Sequence, residues 1–160
     1  HGRKTVMGLV GGACKERIYP VGRLDRNTTG LLLFTNDGEM TKKLTHPKYN
    51  IRKIYHVLID KGISPKELNE IRKGLILDDG KADVDAVEYI GDGKNKKQVG
   101  IELHSGKNRI IRRIFEKLNF KVVKLDRISY AGLTKKDIPR GRWRFLGLKE
   151  IGMLKMLSGK

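Results

Sequence analysis

The chain of 160 residues carries 35 lysines and arginines against 18 aspartates and glutamates, a formal net charge of +17 at pH 7. This charge excludes an acidic solvating chain and argues against an enzyme of a small neutral metabolite, because so many mutually repelling cations need a polyanionic partner. The length fits one domain, no apolar run reaches the roughly 18 residues of a membrane span, and no signal-peptide pattern opens the chain, so we expect a cytoplasmic protein.

The first part of the chain predicts short elements separated by turns. A short helix is predicted at residues 5–10, and an apolar run at residues 31–35 predicts a buried strand. A turn at residues 36–38 leads into a predicted helix at residues 39–44. Alternating apolar side chains then predict a strand at residues 51–59.

Complete start and stop signals mark the next helix. Ser64 suits the N-cap, Pro65 the first helical position and Glu67 the third, which together predict a capping box. Gly74 suits the position just after the last turn. The sequence therefore predicts a helix between Ser64 and Gly74.

The remaining elements are mostly strands. They are predicted at residues 75–77, 82–90, 99–103, 122–128 and 143–146, the first two as a hairpin. Residues 109–118 predict an amphipathic helix, because their apolar positions follow the 3.6-residue period, and residues 149–157 predict a closing helix. Since strands outnumber helices and tight turns join several of them, the predicted fold is α+β with a mainly antiparallel, mixed sheet.

The basic residues are spread along the chain, which favours a folded basic surface over a disordered arm. Nucleic acid is the expected partner, since lysine and arginine contacts to phosphate release condensed counterions. A membrane partner is not expected, because no segment predicts a basic amphipathic helix with a free apolar face. The single cysteine, Cys14, excludes an internal disulfide, and no cysteine–histidine cluster has zinc spacing.

One carboxylate has an unusual setting, just before the predicted strand at residues 31–35. Asp25 lies between Arg23 and Arg26, and neighbouring cations favour the ionised carboxylate that a nucleophile or general base requires. The alternative is a loop aspartate that makes a turn or a capping bond. The residues alone leave both interpretations open.

A second candidate site is the predicted start of the helix that carries Arg112 and Arg113, where Lys107 and Arg109 lie. Cations at this end oppose the helix dipole, which indicates that an anion binds nearby. The alternative is a solvated basic face. Tyr55, in a predicted strand, suits stacking on a base or donating a hydrogen bond, or is an ordinary strand aromatic.

Five segments form motifs in a fixed order. They are residues 19–25 (Tyr-Pro-Val-Gly-Arg-Leu-Asp) with 28 and 30–33, residues 35–38 (Thr-Asn-Asp-Gly), residues 53–55 (Lys-Ile-Tyr), residues 106–114 and residues 139–146. In order and spacing they closely resemble the motifs of ribosomal RNA pseudouridine synthases, in the branch that contains RsuA, RluB, RluE and RluF.

This resemblance implies a pseudouridine synthase-like fold with a basic central cleft, and a reaction without a metal or an organic cofactor. It implies that Asp25 is the catalytic aspartate, which attacks either the uracil ring or C1′ of the ribose. Tyr55 is expected to pack against the target base and to take part in removing the C5 proton, and Arg112 to pair with the aspartate. The target uridine is expected to leave its stack. Contacts to RNA are expected from the nearby cations Arg23, Arg26, Lys53, Lys107, Arg109 and Arg113.

The resemblance also implies that residues 1–160 are a catalytic domain without the S4-type RNA-binding domain and first strand or strands common in that branch. Position 110 is Ile where many members carry Gln or Glu, so no polar role is expected there. The Asn108–Arg109 variant of the third motif and the Gly-x-Trp segment favour large-subunit (23S) ribosomal RNA as the substrate, and we expect a monomer.

Three other interpretations compete with this one. They are a small-subunit (16S) synthase, a non-catalytic RNA-binding module of ribosome assembly, and a DNA-binding protein. The last is disfavoured because no helix-turn-helix, zinc-finger or zipper pattern occurs. The trio Asp25, Tyr55 and Arg112 favours an enzyme over a binding module, since a carboxylate among arginines repels phosphate.

Overall fold

The computed structural model describes residues 6–157. Its helices are α1 (Val6–Val10), α2 (Gly38–Thr45), α3 (Pro65–Lys73), α4 (Ile110–Lys117) and α5 (Leu148–Leu157). Its strands are β1 (Tyr19–Pro20), β2 (Thr28–Gly30), β3 (Phe34–Thr35), β4 (Lys53–Ile59), β5 (Leu75–Leu77), β6 (Gly80–Ala82), β7 (Ala86–Tyr89), β8 (Gln98–Leu103), β9 (Val122–Tyr130) and β10 (Leu133–Thr134). No helix within residues 6–157 is long and apolar enough to cross a bilayer.

The main sheet has six strands. Five follow the order β10-β9-β4-β8-β7 with antiparallel neighbours, and β2 runs parallel to β9. Two small antiparallel pairs, β1 with β3 and β5 with β6, complete the strands. The predicted α+β class and mixed, mainly antiparallel sheet are therefore confirmed.

Alternation along the central strands decides which face of the sheet is buried. On β8, Val99, Ile101 and Leu103 are buried together, because side chains two residues apart share a face. Helix α4 adds Ile114 and Phe115 to the same core. A second apolar cluster joins α2, α5 and the end of β9. Together the two clusters hold α2, α4, β4 and β9 around one region of the molecule.

Hydrogen bonds at two helix starts follow the sequence signals. Ser64 Oγ accepts from the Glu67 N–H at 3.1 Å, and Glu67 Oε1 accepts from the Ser64 N–H at 3.0 Å, so the capping box before α3 is formed. Asp37 Oδ1 accepts from the Met40 N–H at 3.0 Å and caps α2. The predicted helices at residues 109–118 and 149–157 are also present. The helix predicted at residues 5–10 is present as α1, and Thr5 lies outside the described residues.

The predicted strand at residues 31–35 was wrong over most of its length. Only Phe34–Thr35 forms a strand, and the chain instead pairs earlier, where Thr28–Gly30 lies parallel to β9. Gly30 permits this approach, because its φ is +116° and a Cβ there would overlap the Arg127 backbone. The apolar residues 31–33 are half-buried and irregular, and Leu31 and Leu33 pack against the second cluster.

Two other strand predictions need correction. The hairpin partner of β5 begins earlier than predicted, as β6 (Gly80–Ala82), and shares only Ala82 with the stretch at residues 82–90. The rest of that stretch contains β7, which joins the main sheet beside β8. Residues 143–146 form no strand. Within this segment the side chains of Trp143 and Phe145 instead contact each other edge to face, with ring centroids 5.3 Å apart.

Candidate active site

Five parts of the chain enclose a cleft of about 400 Å³. They are the loop between β1 and β2, the end of α2 with the residues that follow it, the first half of β4, the segment from β8 into α4, and the second half of β9. Asp25, Tyr55 and Arg112 all line this cleft. The three residues predicted to be catalytic are thus brought together by the fold, although they lie far apart in the sequence.

Asp25 is the only carboxylate that lines the cleft within residues 6–157. The other charged lining residues are six cations: Arg23, Lys53, Lys107, Arg109, Arg112 and Arg127. The Thr28 N–H donates to the Asp25 carbonyl oxygen at 2.9 Å, so the backbone turns here. The half-buried carboxylate itself has no hydrogen-bond partner in the described part of the chain. It is therefore not used as a capping group.

Tyr55 lies on the central strand β4, opposite Ile101 of β8 and Arg127 of β9. Its ring is half-buried and packs against the main core. Strand neighbours on both sides fix its position, and its other side faces the cleft. A planar ring held in this way can pack against a nucleobase.

Lys53 lies two residues before Tyr55 and on the same face of β4. Its Nζ donates to the Ser105 carbonyl oxygen at 3.3 Å. Burial, and secondarily the charge of Arg127, lower the pKa of the Lys53 amine from its usual 10.5. Lys53 is thus a partly desolvated cation inside the cleft.

Arg112 lies in the first turn of α4 and is 8% exposed. Its Nη2 donates to the Asn27 carbonyl oxygen at 2.9 Å, and among residues 6–157 no ion pair joins it to Asp25. The guanidinium therefore holds the backbone of the loop that carries Asp25, two residues from the carboxylate. The pairing implied by the resemblance is not formed in this structure.

The predicted RNA contacts divide into two groups. Arg23, Lys107 and Arg109 are exposed and line the cleft, as does the half-buried Lys53. Arg26 is exposed but does not line it, and Arg113 also lies outside the lining.

Arg113 is engaged elsewhere. Its Nη1 forms an ion pair with Asp79 Oδ1 at 2.8 Å, and its Nε donates to the Asn108 carbonyl oxygen. The hydrogen bond from Arg113 lowers the pKa of the Asp79 carboxyl. Arg113 thus fastens the β5–β6 hairpin to the segment before α4.

Arg127, a residue of β9 that lines the cleft and is 4% exposed, is not among the site residues predicted from the sequence. Its Nε donates to the Leu31 carbonyl oxygen at 2.9 Å, and its guanidinium lies 4.6 Å from the Tyr130 ring centroid. The sequence contains a signal for this residue: Arg127 lies two residues after the apolar Leu125, so the two side chains share one face of the predicted strand. An arginine in the buried register of a predicted strand indicates a site rather than solvent exposure.

A larger groove of about 1240 Å³ lies on the opposite face of the sheet, where His56 and Asp126 lie. Its lining is predominantly apolar and includes Trp143 and Phe145. Neither Asp25 nor the other residues of the predicted catalytic trio line it. Its size alone does not make it the reactive site, and the smaller cleft is the candidate active site.

The chain is similar to known proteins over most of its length, including the residues that line the cleft. The sequence profile of the family described as RNA pseudouridylate synthase matches residues 4–117. The chain is 42% identical over 160 residues to ribosomal large subunit pseudouridine synthase B of Bacillus subtilis, covering 98% of this chain and 65% of that protein. It is 41% identical over 154 residues to the Buchnera aphidicola protein of the same name, covering 95% and 62%. The chain thus spans less than two thirds of these relatives.

Solved structures show a similar fold. One described as "Crystal structure of pseudouridylate synthase" matches with a TM-score of 0.78 at 26% identity, covering 86% of this chain and 59% of that one. The archaeal box H/ACA sRNP Nop10-Cbf5 complex matches with a TM-score of 0.56 at 17% identity, covering 82% and 43%. The second match concerns the fold alone.

Proposed function

The chain belongs to the RNA pseudouridylate synthase family, and from this premise we propose that it isomerises uridine to pseudouridine in ribosomal RNA. The proposed substrate is large-subunit RNA, which is the substrate that the names of the relatives specify. We propose that residues 1–160 act as a catalytic domain and that the protein is a monomer.

The single carboxylate in a basic cleft carries the proposal. A site that only binds RNA gains nothing from Asp25, because a carboxylate repels phosphate. The six cations that line the same cleft attract RNA. Since its oxygens have no hydrogen-bond partner within residues 6–157, Asp25 is free to act as a nucleophile.

The proposed reaction begins with a uridine flipped out of its stack. Asp25 attacks the uracil ring or C1′ of the ribose, and the N1–C1′ bond breaks with its electron pair on the ring. After the ring turns, C5 bonds to C1′, the C5 proton leaves and N1 gains a proton. The bond to Asp25 breaks either at C1′, as C5 displaces the carboxylate, or at C6, as the C5–C6 double bond forms again, and both routes restore the free carboxylate. Tyr55 packs against the ring and takes part in removing the C5 proton.

Arg112 has a positioning role in this proposal, because it holds the Asn27 carbonyl and thereby the loop of Asp25. A shift toward Asp25 when RNA binds would form the ion pair implied by the resemblance. The exposed cations at the cleft, Arg23, Lys107 and Arg109, are proposed to contact phosphates. Arg26 is proposed to contact RNA beside the cleft.

Lys53 and Arg113 complete the proposed RNA contacts, and they differ in what binding requires of them. Lys53 already lines the cleft and needs only to exchange the Ser105 carbonyl for an oxygen of the RNA. Arg113 must exchange Asp79 for a phosphate. We therefore expect Arg113 to contribute least to affinity.

Replacing Asp25 by Asn tests the proposed function. The amide is not a nucleophile, so release of label from RNA containing [5-³H]uridine is expected to fall by at least about 1000-fold. RNA affinity is expected to stay the same or rise slightly, because a negative charge is removed. Asp37→Asn is the matched control: it makes the same change at a helix cap outside the cleft, where Asn caps equally well. Wild-type turnover in Asp25→Asn would remove Asp25 as the nucleophile.

A pseudouridine map of ribosomal RNA identifies the substrate. The map compares cells lacking the gene with the same cells after restoring the full-length protein. A large-subunit site that is lost and regained is expected. A small-subunit site would replace the proposed substrate, and an unchanged map with RNA binding intact would favour the non-catalytic RNA-binding module.

A further inference from the structure

Buried polar atoms without a hydrogen-bond partner converge on the cleft. Within residues 6–157 these side-chain atoms are Thr28 Oγ1, Arg112 Nε and Arg127 Nη2. All three residues line the cleft that contains Asp25. Because buried polar groups in native proteins are nearly always hydrogen-bonded, their coincidence in one place indicates a surface built to receive polar atoms of a ligand.

Arg127 is the most constrained of the three. Its Nε is held by the Leu31 carbonyl oxygen and its guanidinium face by the Tyr130 ring. No ion pair within residues 6–157 involves Arg127. A buried cation without a counter-charge is unfavourable, and Arg127 also disfavours the charge on Lys53. The Nη2 of Arg127 is a buried donor that no acceptor within residues 6–157 satisfies.

The depth of Arg127 indicates which part of a nucleotide it meets. Arg23, Lys107 and Arg109 are exposed and suit the RNA backbone, which stays at the surface. Arg127 is 4% exposed and lies opposite Tyr55 in the register of β4 and β9. A flipped nucleotide reaches this depth with its base, so the group that meets Nη2 is an acceptor on the uracil.

We propose that Arg127 is a further catalytic residue, whose Nη2–H donates to a carbonyl oxygen of the target uracil. This inference rests on the proposed function. Both routes of attack make such a bond stronger as the reaction proceeds. Addition to the C5–C6 double bond shifts an electron pair toward O4, and cleavage of N1–C1′ leaves a pair shared by O2 and O4. A preorganised guanidinium at either oxygen stabilises this charge.

The test compares RNA binding by variants in the Asp25→Asn background, which prevents turnover. The probes are a ribosomal RNA fragment with the mapped uridine and the same fragment lacking that base. Arg127→Met is expected to weaken binding of the uridine RNA by roughly 10- to 100-fold, the range for a hydrogen bond to a charged group, and to leave binding of the abasic RNA unchanged. Arg72→Met is the control, since Arg72 also donates to a backbone carbonyl, that of Val87, but lies outside the cleft.

Other outcomes overturn the inference. Equal losses on both RNAs would assign Arg127 to a phosphate, and the exposed Lys107→Met provides that pattern for comparison. No loss on either RNA would make it a structural residue that only holds Leu31. If Arg127→Met does not fold, two other measurements test the contact. They are RNA binding by Arg127→Lys and binding of RNA with a modified target base by the protein with Arg127 intact. With 2-thio- or 4-thiouridine at the target, a weaker acceptor replaces each oxygen in turn, and affinity unaffected by both replacements would refute the contact.

The kinetic readout separates this inference from the proposed function. With the Asp25 carboxylate intact, Arg127→Met is expected to lower the single-turnover rate at saturating RNA, because the bond strengthens in the transition state. If the wild-type protein does not isomerise uridine, the proposed function and this inference both fail. If it does, and Arg127→Met matches its saturated rate and its discrimination against abasic RNA, only the inference fails.

Discussion

Lys53 holds a positive charge where both burial and a second cation oppose it. Its amine is partly desolvated and repelled by Arg127, so its pKa is lower in the folded protein than the usual 10.5. The unfolded chain therefore binds this proton more tightly. The resulting loss of stability is complete below the lowered pKa and disappears as the pH rises through 10.5. At neutral pH the charge on Lys53 therefore opposes folding.

We predict that Lys53→Gln raises the thermal midpoint at pH 7 by about 2 °C or more, although it removes the hydrogen bond to the Ser105 carbonyl. The same change is expected to weaken RNA binding, because the cleft then has one cation fewer. Calorimetry and an RNA titration measure the two effects. A lower midpoint would show that the hydrogen bond to Ser105 outweighs desolvation.

The parallel pairing of β2 with β9 is the element-scale feature that positions the candidate active site. β2 directly follows the loop that carries Asp25, and Arg112 and Arg127 hold the residues on either side of β2 through the carbonyls of Asn27 and Leu31. The pairing brings β2 so close to β9 that a side chain at Gly30 meets the β9 backbone. The segment that follows Asp25 is thus fixed to the main sheet.

We predict that Gly30→Ala destabilises the protein by about 2 kcal/mol or more, because its φ of +116° is strained for Ala and the new Cβ overlaps backbone rather than a movable side chain. Gly152→Ala is the control, since no atom lies within 4 Å of a Cβ at this site in α5. That change is expected to stabilise the protein by roughly 0.5–1 kcal/mol. Denaturant unfolding measures both, and equal stability of Gly30→Ala and wild type would contradict the close pairing.

The charge of +17 acts at the scale of the whole molecule. Cations are spread along the whole chain, but the cleft concentrates six of them around one carboxylate. Under the proposed function, general attraction brings RNA to the surface, whereas the cleft selects where a nucleotide enters. We therefore expect the salt dependence of RNA affinity to depend more on where the cations lie than on the net charge.

We predict that reversing Lys107 and Arg109 to Glu lowers the salt dependence of RNA affinity by about 0.7 in log–log slope for each phosphate that the variant no longer neutralises. The charge-matched control reverses Lys66 and Lys73, which are exposed on α3 and do not line the cleft. Affinity titrations between 50 and 200 mM salt, chosen as roughly the range over which such slopes are resolved, compare the two. Equal slopes in both double variants would mean that net charge alone drives binding.

The sequence by itself determined the features whose causes are local. The capping box of Ser64 and Glu67 closes within one turn, and the apolar period of α4 follows from residues three and four apart. The fold class came from the same signals, because strand and helix patterns need no distant partner to be recognised. The family followed from motifs written within short stretches of the chain, and the site trio that these motifs imply stays a prediction.

Only the tertiary structure decided which partners the site residues meet. Arg112 donates to Asn27 and Arg113 to Asp79, and neither choice is visible in a sequence where both arginines adjoin the same motif. The chain pairs at Thr28–Gly30 rather than over the predicted residues 31–35, because β9, about a hundred residues further along the chain, supplies the backbone partner. Arg127 lines the cleft for the same reason, because tertiary contacts determine which groups lie beside its guanidinium.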